Sequence, residues 1–342
     1  MKQVAAVALA LLLALFLLPL LLMGEPDTPS VPDGTDTPAS TGTLPIDRTV
    51  ITPPPAGGTD AAVTIRVLLE DGQVSEMTMK DYLWRVAAAE MPASFALEAI
   101  KAQVVAARTY TAAKMGRTVQ NHPNADICTD ITCCQAYITP EEAAQNWGER
   151  AQGYTETIAQ AVAATDGMIA AYNSVPIQAV FFSSTAGRTV DAMEVWGSHV
   201  PYLTGVQSPE GEEVPNYHTT VTVTAEEFKT TLLHQYPDLV LEGEPSSWIG
   251  TATPNSAGGV ATLTIGGTPL RGEALRTLFN LRSSHFTLTA QGDVLTFSVT
   301  GYGHGVGMSQ YGANALAKEG KTWQEIIQWY YTGVTLEPMQ TS

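Results

Sequence analysis

The sequence predicts an α+β fold held behind an N-terminal transmembrane helix and a disordered linker, with the folded part divided into two mixed α/β lobes around a cleft. Three observations predict it. An uncharged apolar run fills residues 4–23 and a stretch of Pro, Thr, Ser, Gly and Asp follows to about residue 60. Beyond that, helical apolar spacing gives way between about 205 and 299 to alternating β-branched segments, and then returns.

The first element is the run in MKQVAAVALALLLALFLLPLLLMGEPD, long enough as a helix to cross a hydrocarbon core of about 30 Å. A secretory signal peptide is the alternative. The run exceeds an ordinary signal core and no small-x-small site precedes Glu25 and Asp27, although Pro19 could break the helix, so an uncleaved anchor over 1–23 is expected. Lys2 on one side and acids on the other place the bulk of the chain outside the cytoplasm, at a cell membrane. Residues 24–60 have almost no large apolar side chain to bury and read as a linker, stiffened near its end by Pro53-Pro54-Pro55. About 280 residues remain, enough for one large domain or two intimate ones.

The larger lobe is expected over 61–204 plus 300–337. Its segment 77–115 places apolar residues at helical spacing on both sides of Glu90-Met91-Pro92. Pro92 biases Met91 away from the helical region, so one helix ends near Glu90 and a second starts close to Ser94 as its cap. Glu90 then stands at a helix-to-helix corner among Ala87, Ala88, Ala89 and Met91, with no adjacent Lys or Arg. A carboxyl in apolar surroundings can stay protonated near neutrality, as a general acid must. A solvated helix-terminal glutamate is the other reading. The smaller α+β lobe is expected as an insertion at 205–299, with strands in TTVTVT, GGVATLTIGG and FTLTAQGDVLTFSVT and helices near 225–234 and 272–279. WQEIIQWYYTG closes the fold as an amphipathic helix ending at Gly333.

Residues 301–320, GYGHGVGMSQYGANALAKEG, set Gly301, Gly303, Gly305 and Gly307 on alternate positions around His304. Such spacing means turns at positive φ or close approach by another backbone or a ligand. Neither the Lys-Ser/Thr of a Walker loop nor G-x-G-x-x-G is present, and neutral Ser309, Gln310 and Tyr311 suit a sugar better than a phosphate. A glycine-rich turn with a buried, hydrogen-bonded histidine is the alternative. Ser183, Ser184 and Thr185 follow the strand-like PIQAVFF, where binding groups often emerge, though an ST-turn fits as well. Ser184 with His304 lacks the G-x-S-x-G elbow of a serine hydrolase.

The net charge of −17 argues against nucleic acid and anionic lipid as main partners, but not against a polysaccharide. Arg108 and Arg188 are candidates for a small basic spot, or for salt bridges that fix the fold. An ordinary glycosidase needs two carboxyl groups; Asp191 and Glu194 come nearest to supplying the second. The three cysteines fall in HPNADICTDITCCQAY, with His122 six residues before Cys128 and Cys134 six after it. A Cys128–Cys134 disulfide leaving Cys133 unpaired and a zinc site are both open on spacing.

The sequence resembles the stage II sporulation protein D family, the domain also found in amidase-enhancer proteins of the cell wall. The resemblance rests on GHGVGMSQYGA at 303–313, with VAAAEMP, AIKAQVVAARTYT, CQAY, FFSSTAGRT, VPYL and LRTLFNLRSSHF in order before it. It implies a lytic transglycosylase that cuts peptidoglycan strands stripped of stem peptides during spore engulfment. Glu90 of the EMP motif would serve as acid and then base, leaving 1,6-anhydro-MurNAc ends. It implies groove contacts from Arg108, Ser184, Thr185, Arg188, His304, Gln310 and Tyr311. It also implies a structural zinc on His122, Cys128 and Cys134, with Cys133 a neighbour or fourth ligand. Implied partners are a peptidoglycan amidase or endopeptidase and a membrane scaffold, with the chain in the mother-cell membrane facing the forespore. Phe95-Ala96 departs from the Trp-Pro pair frequent in the family. A non-catalytic wall-binding amidase enhancer is the alternative function.

Overall fold

The computed structural model describes residues 58–340. The expected anchor at 1–23 and nearly all of the expected linker lie outside the described residues, and among these no helix is long and apolar enough to cross a membrane.

The chain runs α1 (Thr59–Ala62), β1 (Thr64–Leu68), β2 (Val74–Thr78), α2 (Met79–Glu90), α3 (Leu97–Lys114) and β3 (Ile127–Cys128). Next come α4 (Pro140–Trp147), α5 (Ala151–Ala164), β4 (Met168–Tyr172), β5 (Val175–Pro176), β6 (Phe181–Phe182) and α6 (Ala192–Trp196). The alternating region gives β7 (His218–Thr224), α7 (Ala225–Gln235), β8 (Ile249–Pro254), β9 (Val260–Ile265), β10 (Thr268–Arg271), α8 (Gly272–Leu278), β11 (Phe286–Gln291) and β12 (Val294–Thr300). The fold closes with β13 (Met308–Ser309), α9 (Gln310–Lys318), α10 (Trp323–Tyr330) and β14 (Thr335–Pro338). The mixed α+β class stands, and the elements expected in the alternating region form where the sequence places them.

Apolar residues gather in two clusters. The first surrounds α3, whose buried residues lie on every side of it, so the helix is apolar all round as a core helix must be. Helices α2, α5, α9 and α10 and strand β4 pack against it. The second lies within the alternating region, where Phe228, Phe279 and Phe297 stack around β12 and Trp248 packs alongside. Strand β12 is central to an antiparallel sheet, pairing Phe297 with Leu288 of β11 and Val221 of β7.

Three local details differ from the sequence expectation, one being that the last helix ends at Tyr330, short of Gly333, and β14 closes the fold after it. Ser94 does not cap α3: the helix begins at Leu97, and the Ala96 N–H donates to Asn314 Oδ1 at 2.9 Å, so the cap comes from α9. The expected linker also overruns the fold, because Asp60 in α1 is fully buried.

Candidate active site

Glu90 is the last residue of α2, and Met91 after it is extended (φ −129°, ψ 137°), as a residue before proline prefers. The residue as a whole is partly buried. Oε1 accepts the Ala136 N–H at 2.6 Å, and Oε2 accepts the Gln310 side-chain amide at 3.4 Å. Burial raises its pKa above the ordinary glutamate value, opposed by those two donors, and no second carboxylate is among the groups acting on it. Such a carboxyl holds a proton at a pH where an exposed glutamate has lost it.

Both donors are delivered by structure distant in sequence. Gln310 is buried at the start of α9, where Ser309 caps the helix by accepting the Gly312 N–H, and its amide also meets Gln103 of α3 at 3.5 Å. Parallel pairing of β13 with β6 sets Ser309 beside Phe182. The glycines make that approach possible: Gly303 has φ +123°, and a Cβ there would come within 2.6 Å of the Phe182 Cβ. Ala136 is held by its neighbour Gln135, whose amide donates to Tyr82 and Thr111 at 3.2 Å each.

The other expected contacts divide. Tyr311 stands next to Gln310, with its ring edge-on to Phe95 at 5.0 Å. Ser184, Thr185, Arg188 and His304 line one depression together with His285, and Glu90 is not among its lining residues. Ser184 Oγ is buried there without a hydrogen-bond partner. The Thr185 hydroxyl closes a turn by accepting the Gly187 N–H, and Arg188 donates to the Gly205 carbonyl at 2.7 Å.

Two expected contacts have their polar atoms engaged inside the fold. Arg108 is fully buried and donates twice to Asp60, at 2.8 and 2.6 Å, and once to the Met168 carbonyl at 3.0 Å, so its guanidinium is consumed inside the fold. His304 donates from Nε2 to the Phe181 carbonyl at 3.1 Å and accepts the Val306 N–H on Nδ1 at 3.2 Å. Both ring nitrogens serve the backbone, and burial with help from Arg276 lowers its pKa to about 4, so the ring stays neutral near pH 7. Asp191 caps α6 and Glu194 accepts the Ser256 N–H, and neither is among the groups that act on Glu90.

Sequence reasoning missed Glu210. It is buried, and its Oε1 takes the Ser309 hydroxyl at 2.5 Å and the Thr185 N–H at 2.7 Å, tying the glycine motif to the Ser-Ser-Thr turn. A lone Glu between Pro209 and Gly211 carries no local sign of burial.

The His122, Cys128, Cys133 and Cys134 ligand atoms all lie within 4.8 Å of one another. The cysteines are free. Cys134 Sγ is 3.4 Å from His122 Nε2 and 3.7 Å from Cys133 Sγ, close to the edge of about 3.8 Å that four sulfurs at about 2.3 Å from a shared ion would span. His122 Nδ1 faces the Ala125 carbonyl at 3.0 Å, which turns Nε2 toward the sulfurs as metal-binding histidines are usually oriented. The cluster could hold a tetrahedral metal ion. It also leads directly into Gln135 and Ala136, the latter the peptide that donates to Glu90.

Comparison with known proteins now decides the family. Residues 70–172 match the family model described as Stage II sporulation protein. The chain is 40% identical over 265 residues to Stage II sporulation protein D of Bacillus subtilis, covering 77% of this chain and 75% of that protein. It belongs to the stage II sporulation protein D family. The Bacillus amyloliquefaciens member is 37% identical over the same shares of both chains. The chain is also 30% identical over 305 residues to the Amidase enhancer of Bacillus subtilis, covering 72% of this chain and 39% of that one. The family-model match alone spans Glu90, Arg108 and the whole His/Cys cluster, and stops well before the glycine motif.

Proposed function

We propose that the chain is a peptidoglycan lytic transglycosylase, cleaving MurNAc–GlcNAc strands stripped of stem peptides on the outer side of a cell membrane during spore engulfment. The observation that carries this reading is a single carboxyl, Glu90, raised in pKa by burial and held by two donors, with no second carboxylate among the described groups that act on it. Hydrolysis by the common routes requires a pair. One carboxyl suffices when the substrate supplies its own nucleophile. Glu90 gives its proton to the glycosidic oxygen as the C1–O bond breaks; the muramyl 6-hydroxyl oxygen closes on C1, and its proton passes to the Glu90 carboxylate. The acid is restored, no water is consumed, and the Ala136 N–H and Gln310 amide steady the carboxylate between the two transfers. The test is digestion of amidase-treated peptidoglycan with the purified chain and a search for anhydro-muramyl ends.

Product formation should persist above the ordinary carboxylate range and fall as pH rises through Glu90's own pKa. A kcat/KM profile whose basic limb sits at the value of a free glutamate would count against the assignment. The stability sign follows from the same shift: above the unfolded pKa the unfolded chain releases a proton that the folded chain retains, so Glu90's contribution to stability declines as pH rises toward its folded value.

Zinc is the ion that the three thiols and one imidazole suit, with Cys133 as fourth ligand beside His122, Cys128 and Cys134. When bound, it serves as a structural clamp. Chelation or Cys128→Ser should lower the melting temperature by several degrees, as loss of a structural metal does; a chelator-treated chain that melts unchanged would refute the clamp. In this reading the anchor at 1–23 and the linker hold the enzyme over the wall, and an amidase that strips stem peptides and a membrane scaffold are its partners. A non-catalytic, amidase-stimulating role is the second reading, favoured by the similarity to the Amidase enhancer. It predicts no anhydro ends from the wild-type chain.

A further inference from the structure

Arg282 lies between α8 and β11, and its carbonyl accepts the Gly303 N–H at 2.9 Å, so its backbone is fixed to the glycine motif. Its guanidinium carbon sits 4.1 Å from the centroid of the Tyr302 ring. The side chain is half-buried, and its Nε has no hydrogen-bond partner. Among the described residues no carboxylate lies within ion-pair distance of it. Tyr302 and Tyr311 are the groups that act on its charge, against the desolvation that opposes it. A guanidinium withdrawn from water is ordinarily compensated by a carboxylate, and stacking on one aromatic face offsets only part of that loss. Arg108 shows the ordinary case in this same chain, with both of its carboxylate bonds made.

The place of this arginine relative to Glu90 is given by Tyr311. That ring meets Phe95 and feels the Arg282 charge, and its neighbour Gln310 donates to Glu90. We propose that Arg282, with Tyr302 and Tyr311, forms a carboxylate subsite beside the acid that receives the lactyl carboxylate of a muramyl residue; the proposal rests on the glycan-cleaving reading above. The lactyl group carries a charge only after its stem peptide has been removed, because in a peptide-bearing strand the same carbon is an amide. An oligomer of N-acetylglucosamine lacks the group altogether. The planar fork of an arginine matches a carboxylate with two parallel hydrogen bonds. Arg282 therefore distinguishes stripped strands from both, and makes peptide removal a chemical precondition for tight binding.

The test is equilibrium binding to the full chain carrying Glu90→Gln, which removes cleavage, with three oligosaccharides of equal length: stripped muramyl glycan, peptide-bearing muramyl glycan and an N-acetylglucosamine oligomer. The stripped glycan should bind most tightly, and added salt should weaken it most. Adding Arg282→Gln should weaken it about ten- to hundredfold, the range of one charge-assisted pair, and leave the N-acetylglucosamine oligomer unchanged. Arg282→Lys should recover part of the preference. The subsite is overturned if Arg282→Gln weakens all three ligands equally, which marks a structural role. It is also overturned if the preference survives, or if the peptide-bearing glycan suffers the same loss, which would make a peptide carboxylate the ligand. If the Glu90→Gln chain binds no glycan at all, the glycan-cleaving reading falls with it.

Discussion

Replacing Glu90 with Gln should abolish anhydro-muramyl ends in digests of amidase-treated peptidoglycan, lowering the rate by about 10²–10⁴-fold or more, the usual contribution of one general acid–base group. The glutamine keeps an oxygen for the Ala136 N–H and nearly the same volume, so the fold should remain intact by circular dichroism and melting temperature. It lacks the exchangeable proton that both halves of the reaction require. Two outcomes would refute the assignment: anhydro ends formed by Glu90→Gln at the wild-type rate, or loss of product accompanied by loss of folding. Gln310→Ala offers a graded comparison, since it removes one donor and leaves the acid. A smaller fall in rate is expected, with the basic limb of the pH profile moving to higher pH, because the lost amide lowers the carboxyl pKa in the wild-type chain.

The largest effect on stability should come from Asp60→Ala. Both Asp60 and Arg108 have side chains at 0% exposure, and the aspartate also accepts the Gly167 N–H at 3.3 Å. Removing one partner strands the other charge in the core, at about 3–5 kcal/mol. In a domain of this size that is a fall in Tm of roughly 6–20 °C. The double variant Asp60→Ala/Arg108→Met should melt above the single one, because it leaves no charge behind. A single variant within a degree of wild type would show that water reaches the pair. Should Arg108→Met retain the wild-type Tm yet lose affinity for glycan, the groove role expected from sequence would return.

Much of the site could be read before the fold was known, and the failures have physical causes. Pro92 fixes where α2 ends, so Glu90 at a corner follows from local sterics. The strands and helices of the alternating region follow from period-two and capping signals, as in the Thr224–Glu227 capping box of α7. The pairing of Arg108 with Asp60 was not legible because the aspartate lies 48 residues earlier, inside a stretch whose composition reads as linker. A usable signal existed: an arginine within QVVAARTYTAA has apolar residues on every helical side and can only be buried. His304 shows the opposite limit, because which atoms satisfy a histidine depends on backbone groups such as the Phe181 carbonyl, 123 residues away. Gln310 was read as touching the ligand, whereas it also positions the acid. Arg282 and Glu210 went unsingled, since only tertiary contacts give one a bare charge and the other its donors.

The covering of α3 by the end of the fold bears on the order in which the molecule comes into being. Glu98 accepts the Trp323 N–H across 225 residues, Asn314 caps the Ala96 N–H across 218, and Gln310 reaches Glu90 across 220. A polypeptide leaves the ribosome from its N-terminus, so for most of synthesis the helix 97–114 has two of its walls missing. During that interval the carboxyl at position 90 lacks its Gln310 amide partner. The hydrogen-bonded setting of that carboxyl is complete only when the last helices dock, so on the proposed reading the finished chain is the first species with its acid fully positioned.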